Sequence, residues 1–157
     1  MAEYTSNALQ SVDLNNPILF SDSIPCNSGY IFHEDGTGIF ILKGIVRNSC
    51  CDFARYQITY NGNIALPTGT TTTIAPIAVG ITVNGEPRMT SRAIYTPPTT
   101  DGDGVYGNVT STAIINVPRG CCFSVSVRAI SGSTDATVDP APTIDVINSN
   151  LVISRIA

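Results

Sequence analysis

Residues 74–95 form the stretch around which the predicted fold is organised. Branched apolar residues alternate there with small ones. The branched residues are Ile77, Val79, Ile81 and Val83. A period of two predicts a β-strand that buries one face and lets a neighbour approach the other closely. Asn84-Gly85 follows at once and favours a tight turn, because both residues tolerate a positive φ. The sequence therefore predicts a β-hairpin whose more polar return strand, residues 88–94, lies near a sheet edge.

Short strand-like segments continue along the rest of the chain. Residues 39–46 are apolar on both faces, which predicts a central strand that is covered on both sides. Residues 121–129 show the cleanest alternation of all. Other predicted strands lie at residues 17–20, 30–33, 56–60, 105–118 and 144–156. Apart from a weak signal in the first dozen residues, no stretch has helical periodicity with caps, so we predict an all-β sandwich or barrel of eight or nine strands.

The length and the polarity of the first residues define the domain boundaries that we expect. A chain of 157 residues is typical of one domain and is long enough to bury a core without staples. Residues 1–16 are mostly polar. We therefore predict an N-terminal arm or short helical turn at 1–16, followed by a single domain at 17–157.

Charged residues are scarce, and this scarcity changes the expected surface. They make up 13% of the chain, against about 25% in a typical protein, whereas hydrophobic residues make up 43%. Much of the surface must then be uncharged, and we expect part of it to be buried against other copies or partners. The net charge of −4 and the scattered arginines predict that the chain has no basic patch and binds no nucleic acid.

Nothing in the sequence predicts a membrane or an export pathway. No run approaches the roughly 20 apolar residues of a membrane span. Residues 1–16 contain neither a basic region nor an apolar one, so we expect synthesis in the cytoplasm without Sec export. Five cysteines are an odd number, which fits poorly with a secreted disulfide framework, and we expect most of them to be reduced.

Candidate catalytic residues are few. A Ser-His-Asp or Cys-His arrangement needs a base, and the chain has one histidine, His33, on a predicted strand. A single histidine on a strand usually has a packing or hydrogen-bonding role. We therefore predict that the protein is not an enzyme and has no cofactor.

Two groups of residues invite a metal hypothesis. The pairs Cys50-Cys51 and Cys121-Cys122 offer four sulfurs for zinc, but adjacent strand residues point to opposite faces. A disulfide that joins one member of each pair is a better interpretation, and plain buried thiols are better still. Asp101 and Asp103 are weak candidates for calcium, because Asp-Gly pairs are ordinary turn formers.

Four short motifs carry a resemblance to a known fold. They are the Tyr-x-Ile segment at Tyr56 and Ile58, the V-N-G turn at 83–85, the segment VPRGCCFSVSV and the terminal NSNLVISRI. Their order over residues 38–157 resembles the C1q/TNF-like jelly rolls of bacterial and phage surface proteins. Arg55 stands where those families often have glycine, and Arg119-Gly120-Cys121 replaces a more usual Gly-Asp.

The resemblance implies a jelly-roll β-sandwich of 8–10 antiparallel strands and little or no helix. Such domains are typically homotrimers used for display, adhesion or decoration, and the whole chain resembles a small phage virion protein. It implies binding to the major capsid protein or another virion protein, at the virion surface and away from any membrane. As trimer contacts we select Tyr56, Tyr60, Phe123, Leu151 and Ile153, whose alternative role is ordinary core packing, favoured for Phe123.

Two rival functions stay open. The first is a receptor- or glycan-binding tip of a phage fibre, which uses the loops at 67–73 and 97–107. Tyr95 and Tyr106 would then be stacking platforms for a host surface glycan, and rim packing is their alternative role. The second is a bacterial spore-surface protein of the exosporium type.

Overall fold

The computed structural model describes residues 1–24, 29–67, 75–98 and 104–157. Within these ranges the chain forms β-strands and one short 3₁₀ turn, and no α-helix. The prediction of an all-β sandwich is therefore confirmed. No helix in the described ranges has the length and apolar character needed to cross a bilayer.

The strands form two antiparallel sheets. Sheet 1 has the order β10-β6-β12-β1-β3, with β2 also paired to β12. Its strands are β1 (Ala2–Ser6), β2 (Gln10–Asp13), β3 (Asp22–Ile24), β6 (Phe53–Ala65), β10 (Gly107–Pro118) and β12 (Thr143–Arg155). Sheet 2 has the order β4-β5-β11-β7-β8, with β9 also paired to β7. Its strands are β4 (Ile31–His33), β5 (Phe40–Lys43), β7 (Ile77–Val83), β8 (Glu86–Pro87), β9 (Ala93–Tyr95) and β11 (Cys122–Ser131).

The core lies between the two sheets, where the alternation along each strand places the apolar side chains. On β6, Tyr56, Ile58 and Tyr60 are fully buried, whereas the residues between them lie on the opposite side of the sheet. Each large apolar side chain that is removed from water in this way stabilises the fold by about 1.5–3 kcal/mol. The long strands β6, β10 and β12 thus supply many of the side chains that sheet 1 contributes to the core.

The hairpin predicted at 74–95 is confirmed in its described residues. Asn84 and Gly85 have φ values of 52° and 85° and connect β7 to β8. The return strand is interrupted by the 3₁₀ turn Met89–Ser91, after which β9 pairs with β7 again. Ser91 stabilises this interruption, because its hydroxyl accepts a hydrogen bond from Ile81 N (3.0 Å) and donates one to Arg88 O (2.7 Å).

Two sequence-based predictions about strands are wrong. Residues 1–16 are not an arm, because β1 lies within sheet 1 between β12 and β3, and Ala2 and Tyr4 are buried in the core. Residues 39–46 are not covered on both sides, because Ile39 and Ile45 are exposed. Within residues 39–46, Phe40 and Leu42 form the single buried face, so the apolar run does not mark a strand that is covered on both sides.

Candidate functional site

The outward side of β6 and β10 forms an almost uncharged surface, which we call the amide face. Its directly opposite residues are Asn63 and Asn108, Asn61 and Thr110, Thr59 and Thr112, Gln57 and Ile114, and Arg55 and Asn116. The face exists because burial alternates along both strands, with most apolar residues towards the core and most amides and hydroxyls outward. Arg55 is the only charged residue among these ten positions.

Side-chain hydrogen bonds hold the amide face in a fixed arrangement. Asn61 Nδ2 donates to Thr110 Oγ1 (2.9 Å), and Asn108 Nδ2 donates to Asn63 Oδ1 (3.0 Å). At the other end of the two strands, Arg55 Nε donates to Asn116 Oδ1 (3.0 Å). Removing neutral amides from water costs less than removing charges, provided that their hydrogen bonds are kept or replaced. The face is therefore well suited to burial against another protein surface.

A second surface gathers positive charge at one end of the sandwich, and we call it the cationic end. It holds five of the eight basic residues of the chain, which are Lys43, Arg47, Arg55, Arg119 and Arg155. In the described part of the chain, none of the five forms an ion pair with an Asp or Glu side chain. The topology groups these residues because it brings the ends of β5, β10 and β12 next to the start of β6, and Asp52 lies beside them.

Tyr30 is the centre of the cationic end. The Arg155 guanidinium lies over its ring at 4.1 Å from the ring centroid, and Arg47 Nε donates to its hydroxyl (2.8 Å). Arg155 Nη1 is buried without a hydrogen-bond partner. An open groove of about 440 Å³ lies at this place, lined by Met1, Tyr30, Ile31, Arg47, Arg155, Ile156 and Ala157. Guanidinium groups pair well with carboxylates and phosphates, so this end can contact an anionic partner.

The cysteine pairs lie at the same end of the molecule. Cys50, Cys51, Cys121 and Cys122 are exposed and unpaired. The prediction of buried thiols is therefore wrong for these four, because they occupy turns and a strand end instead of the core. Among the described residues, no group of three or more His, Cys, Asp or Glu side chains is arranged to hold a metal ion. Cys26 lies outside the described residues.

The residues selected as trimer contacts belong to the core of a single chain. Tyr56, Tyr60, Leu151 and Ile153 are fully buried, so the prediction that they contact other copies is wrong for these four. Phe123 is partly buried and packs against the same core. The inward side of β6 and β12, which supplied the apolar signal in the sequence, faces sheet 2 and not a neighbouring subunit.

Tyr60 illustrates how closely this core is built. Its hydroxyl lies 3.2 Å from Ser149 Oγ, and burial raises the pKa of the phenol to about 12, against a smaller opposing effect of that hydrogen bond. The end of its ring covers Gly62, where an added Cβ would lie 2.8 Å from Tyr60 Cζ. Gly62 is therefore required by the close approach of this ring.

The tyrosines assigned to the rival glycan site lie near each other at the opposite end of the sandwich. Tyr106 is 40% exposed, and the hydroxyl of the half-buried Tyr95 donates to Val105 O (3.2 Å). Burial, and then the negative charge of Asp145, raise the pKa of Tyr106, and burial raises the pKa of Asp145 itself. The calcium candidates Asp101 and Asp103 lie outside the described residues, as do parts of both loops named for this site.

His33 has a packing environment. Its side chain is 2% exposed and stacks on the Phe40 ring, with 4.3 Å between the centroids. The edge of Tyr4 meets the His33 ring at 4.8 Å, and Nε2 lies 3.0 Å from Thr37 O. The imidazole is therefore part of the aromatic core between β1, β4 and β5, with little access for a substrate.

Comparison with known proteins locates the fold. No protein-family model and no curated protein matches this sequence. Among solved structures, Eiger TNF from S. frugiperda has a TM-score of 0.61 at 11% identity, over 100% of this chain and 92% of that one. The globular domain of zebrafish complement 1qA protein has 0.54 at 13%, over 94% and 93%. Murine APRIL has 0.51 at 9%, over 96% of each chain. Identities this low show a shared fold alone. The shared fold confirms the predicted jelly-roll sandwich.

Proposed function

From the C1q/TNF-like jelly-roll fold of this chain, we propose that it is a non-enzymatic structural protein that assembles as a homotrimer. The observation that carries the proposal is the amide face, which is nearly free of charge and ordered by its own hydrogen bonds. The resemblance in the sequence supports a trimer, since jelly rolls of that kind are typically homotrimers. The buried, stacked imidazole of His33 supports the non-enzymatic part of the proposal.

The amide face has a suitable composition and position for the trimer contact. A stable interface of standard size buries about 800 Å² on each partner, which is about a tenth of the 8010 Å² surface of one chain. Ile114, which is 52% exposed near the middle of the face, supplies an apolar contact. The surrounding amides and hydroxyls supply hydrogen bonds to a neighbour, so burial of the face leaves few polar groups unpaired.

We place the trimer on the outer surface of a phage particle, where it decorates the capsid or another virion protein. The chain is acidic overall, yet its cationic end carries five basic side chains, none of which forms an ion pair with an Asp or Glu side chain in the described part of the chain. Opposite charges on two docking surfaces steer their encounter and favour the correct partner. The cationic end is therefore the surface that we assign to contact with an acidic virion protein.

Fractionation of the producing strain tests this location. Antibodies against the chain are used on density-gradient fractions of induced phage particles and on purified spores. The proposal expects the chain to band with particles, and R47S/R155S to reduce binding of the purified chain to stripped particles. R128S is the matched control, because Arg128 lies outside the cationic end and contacts Ser126 and Asn15 instead. Recovery in the spore fraction alone would favour the spore-surface alternative.

A glycan-binding fibre tip is the second candidate. The specific observation in its favour is that Tyr106 is 40% exposed beside Tyr95 and the carboxylate of Asp145, since aromatic rings and carboxylates commonly contact sugars. A glycan array distinguishes the two functions. A decoration protein binds particles and no sugar, whereas a fibre tip binds a defined glycan and loses it in Y106A.

A further inference from the structure

Four exposed thiols at one end of a protein are unusual, because exposed free cysteines are prone to oxidation. The segments that carry them, 48–52 and 118–122, lie side by side. Arg119 N donates to Asp52 O (2.8 Å), and the Arg119 side chain reaches Ser49 O. Each chain therefore presents two adjacent pairs of thiols that the proposed function has not used.

The described residues form no closed site within one chain. None of the four thiols is bonded to another, and among the described residues no cluster is arranged for a metal. Each segment forms a turn, the first before β6 and the second after β10. In these turns Cys51 N donates to Asn48 O (3.1 Å) and Cys121 N donates to Pro118 O (3.0 Å). The sulfurs are thereby exposed to solvent, where a partner molecule can reach them.

The first cysteine pair also borders the amide face. A groove of about 330 Å³ is lined by Cys50, Cys51, Asp52, Phe53, Arg55 and Ala157. Two of these residues, Phe53 and Arg55, lie at the start of β6. Arg55 and Asn116, which are joined by a hydrogen bond, form the end of the amide face nearest to this groove. Residues that border a subunit contact come close to the neighbouring copy when the contact forms.

We propose that these thiols link the copies of the trimer by disulfides, from Cys50 or Cys51 of one copy to Cys121 or Cys122 of the next. This inference rests on the proposed homotrimer. Neighbours in a closed ring meet through two different patches, so a symmetric covalent link needs one cysteine in each of two patches. The chain carries one pair of cysteines in each of two segments, which lie side by side at one end of the molecule.

The reaction is thiol–disulfide exchange with a small-molecule disulfide as oxidant. A thiolate of one copy attacks a sulfur of the oxidant, which forms a mixed disulfide and releases one reduced thiol. A thiolate of the neighbouring copy then attacks the protein sulfur of that mixed disulfide and releases the second thiol. Two protein thiols lose two electrons and two protons, and one oxidant disulfide becomes two thiols.

The test uses oxidised glutathione on the full chain with the background substitution C26S, followed by gel electrophoresis without reductant. We expect a band at three times the mass of one chain, which reductant converts to the single chain. C50S/C51S and C121S/C122S should each lose this band when oxidised alone. After the two variants are unfolded, mixed and refolded together, a two-chain band should appear, because each supplies the patch that the other lacks.

Other outcomes would overturn the inference. A two-chain band from either double variant alone would show that like patches pair, and a single chain that mass spectrometry finds two hydrogens lighter would show a link within one chain. Absence of any disulfide in a protein that sediments as a trimer under reductant would refute the inference and leave the proposed function intact. A monomer under reductant would instead refute the proposed homotrimer.

Discussion

The substitution Y60F gives a stability change that reverses its sign with pH. At neutral pH the loss of the buried hydrogen bond to Ser149 should cost about 1 kcal/mol. The pKa of Tyr60 is raised from 10.0 to about 12, so the folded chain holds the phenolic proton more tightly than the unfolded chain does. This contribution to stability is fully present below pH 10.0 and is lost as the pH rises towards about 12.

The magnitude follows from the difference between the two pKa values. A difference of about 2 corresponds to about 3 kcal/mol, and about half of it is lost by pH 11. Phenylalanine cannot ionise, so the unfolding free energies of Y60F and the unsubstituted chain should cross at about pH 11. Above that pH, Y60F should be the more stable protein.

Urea unfolding at a series of pH values measures this crossing. S149A is the matched control, because it removes the same hydrogen bond but keeps the ionisable phenol. Its free energy of unfolding should therefore stay below that of the unsubstituted chain at every pH. Parallel curves for Y60F and the unsubstituted chain would refute the claim that the Tyr60 hydroxyl is buried in the core of one chain.

Three further substitutions test other parts of the account. G62A should lower the free energy of unfolding by about 2 kcal/mol in urea titrations, because its Cβ would press on the Tyr60 ring, and an unchanged value would contradict that packing. T112E places a negative charge in the middle of the amide face of each copy, and sedimentation should then show folded monomers instead of trimers. T96E, in the exposed loop after β9, should leave the trimers intact. H33A should cost about 2 kcal/mol in thermal unfolding through lost ring packing and leave particle binding unchanged, and a loss of binding without a loss of stability would argue for a functional imidazole.

The sequence predicted the elements whose period is regular and whose turns are chemically marked. The alternation of residues 77–83 and the turn at Asn84-Gly85 are local features, so the hairpin could be recognised without knowledge of its neighbours. The same holds for β10, whose buried and outward positions alternate along its 12 residues, and for β11, in which Phe123, Val125, Val127 and Ala129 recur at every second position. Because these strands decide the two-layer arrangement, the fold class followed from them.

Short strands were not recognisable in the same way. Strand β1 has five residues, and only the alternation of Ala2, Tyr4 and Ser6 marks it. Its pairing with β12 joins residues at opposite ends of the chain, such as Ala2 and Ile153. A contact over that sequence distance leaves no local signal, so the polar neighbours made the segment resemble an arm.

The candidate surfaces depend on the topology even more strongly. Apolar alternation drew attention to Tyr56 and Tyr60, but it cannot distinguish a face that packs within one chain from a face that packs between chains. The amide face is the opposite side of the same strands, and its signal was the scarcity of charge at positions such as Thr59 and Thr112. The cationic end has no local signal, because its members lie on separate strands and loops.

Sedimentation of the purified chain at micromolar concentration, with reductant present, measures directly whether the amide face joins three copies. We expect a single species with three times the mass of one chain, formed without disulfides and converted to monomer by T112E. A folded monomer at that concentration would refute the proposed homotrimer, because the nearly uncharged face of β6 and β10 would then be stable in contact with water alone.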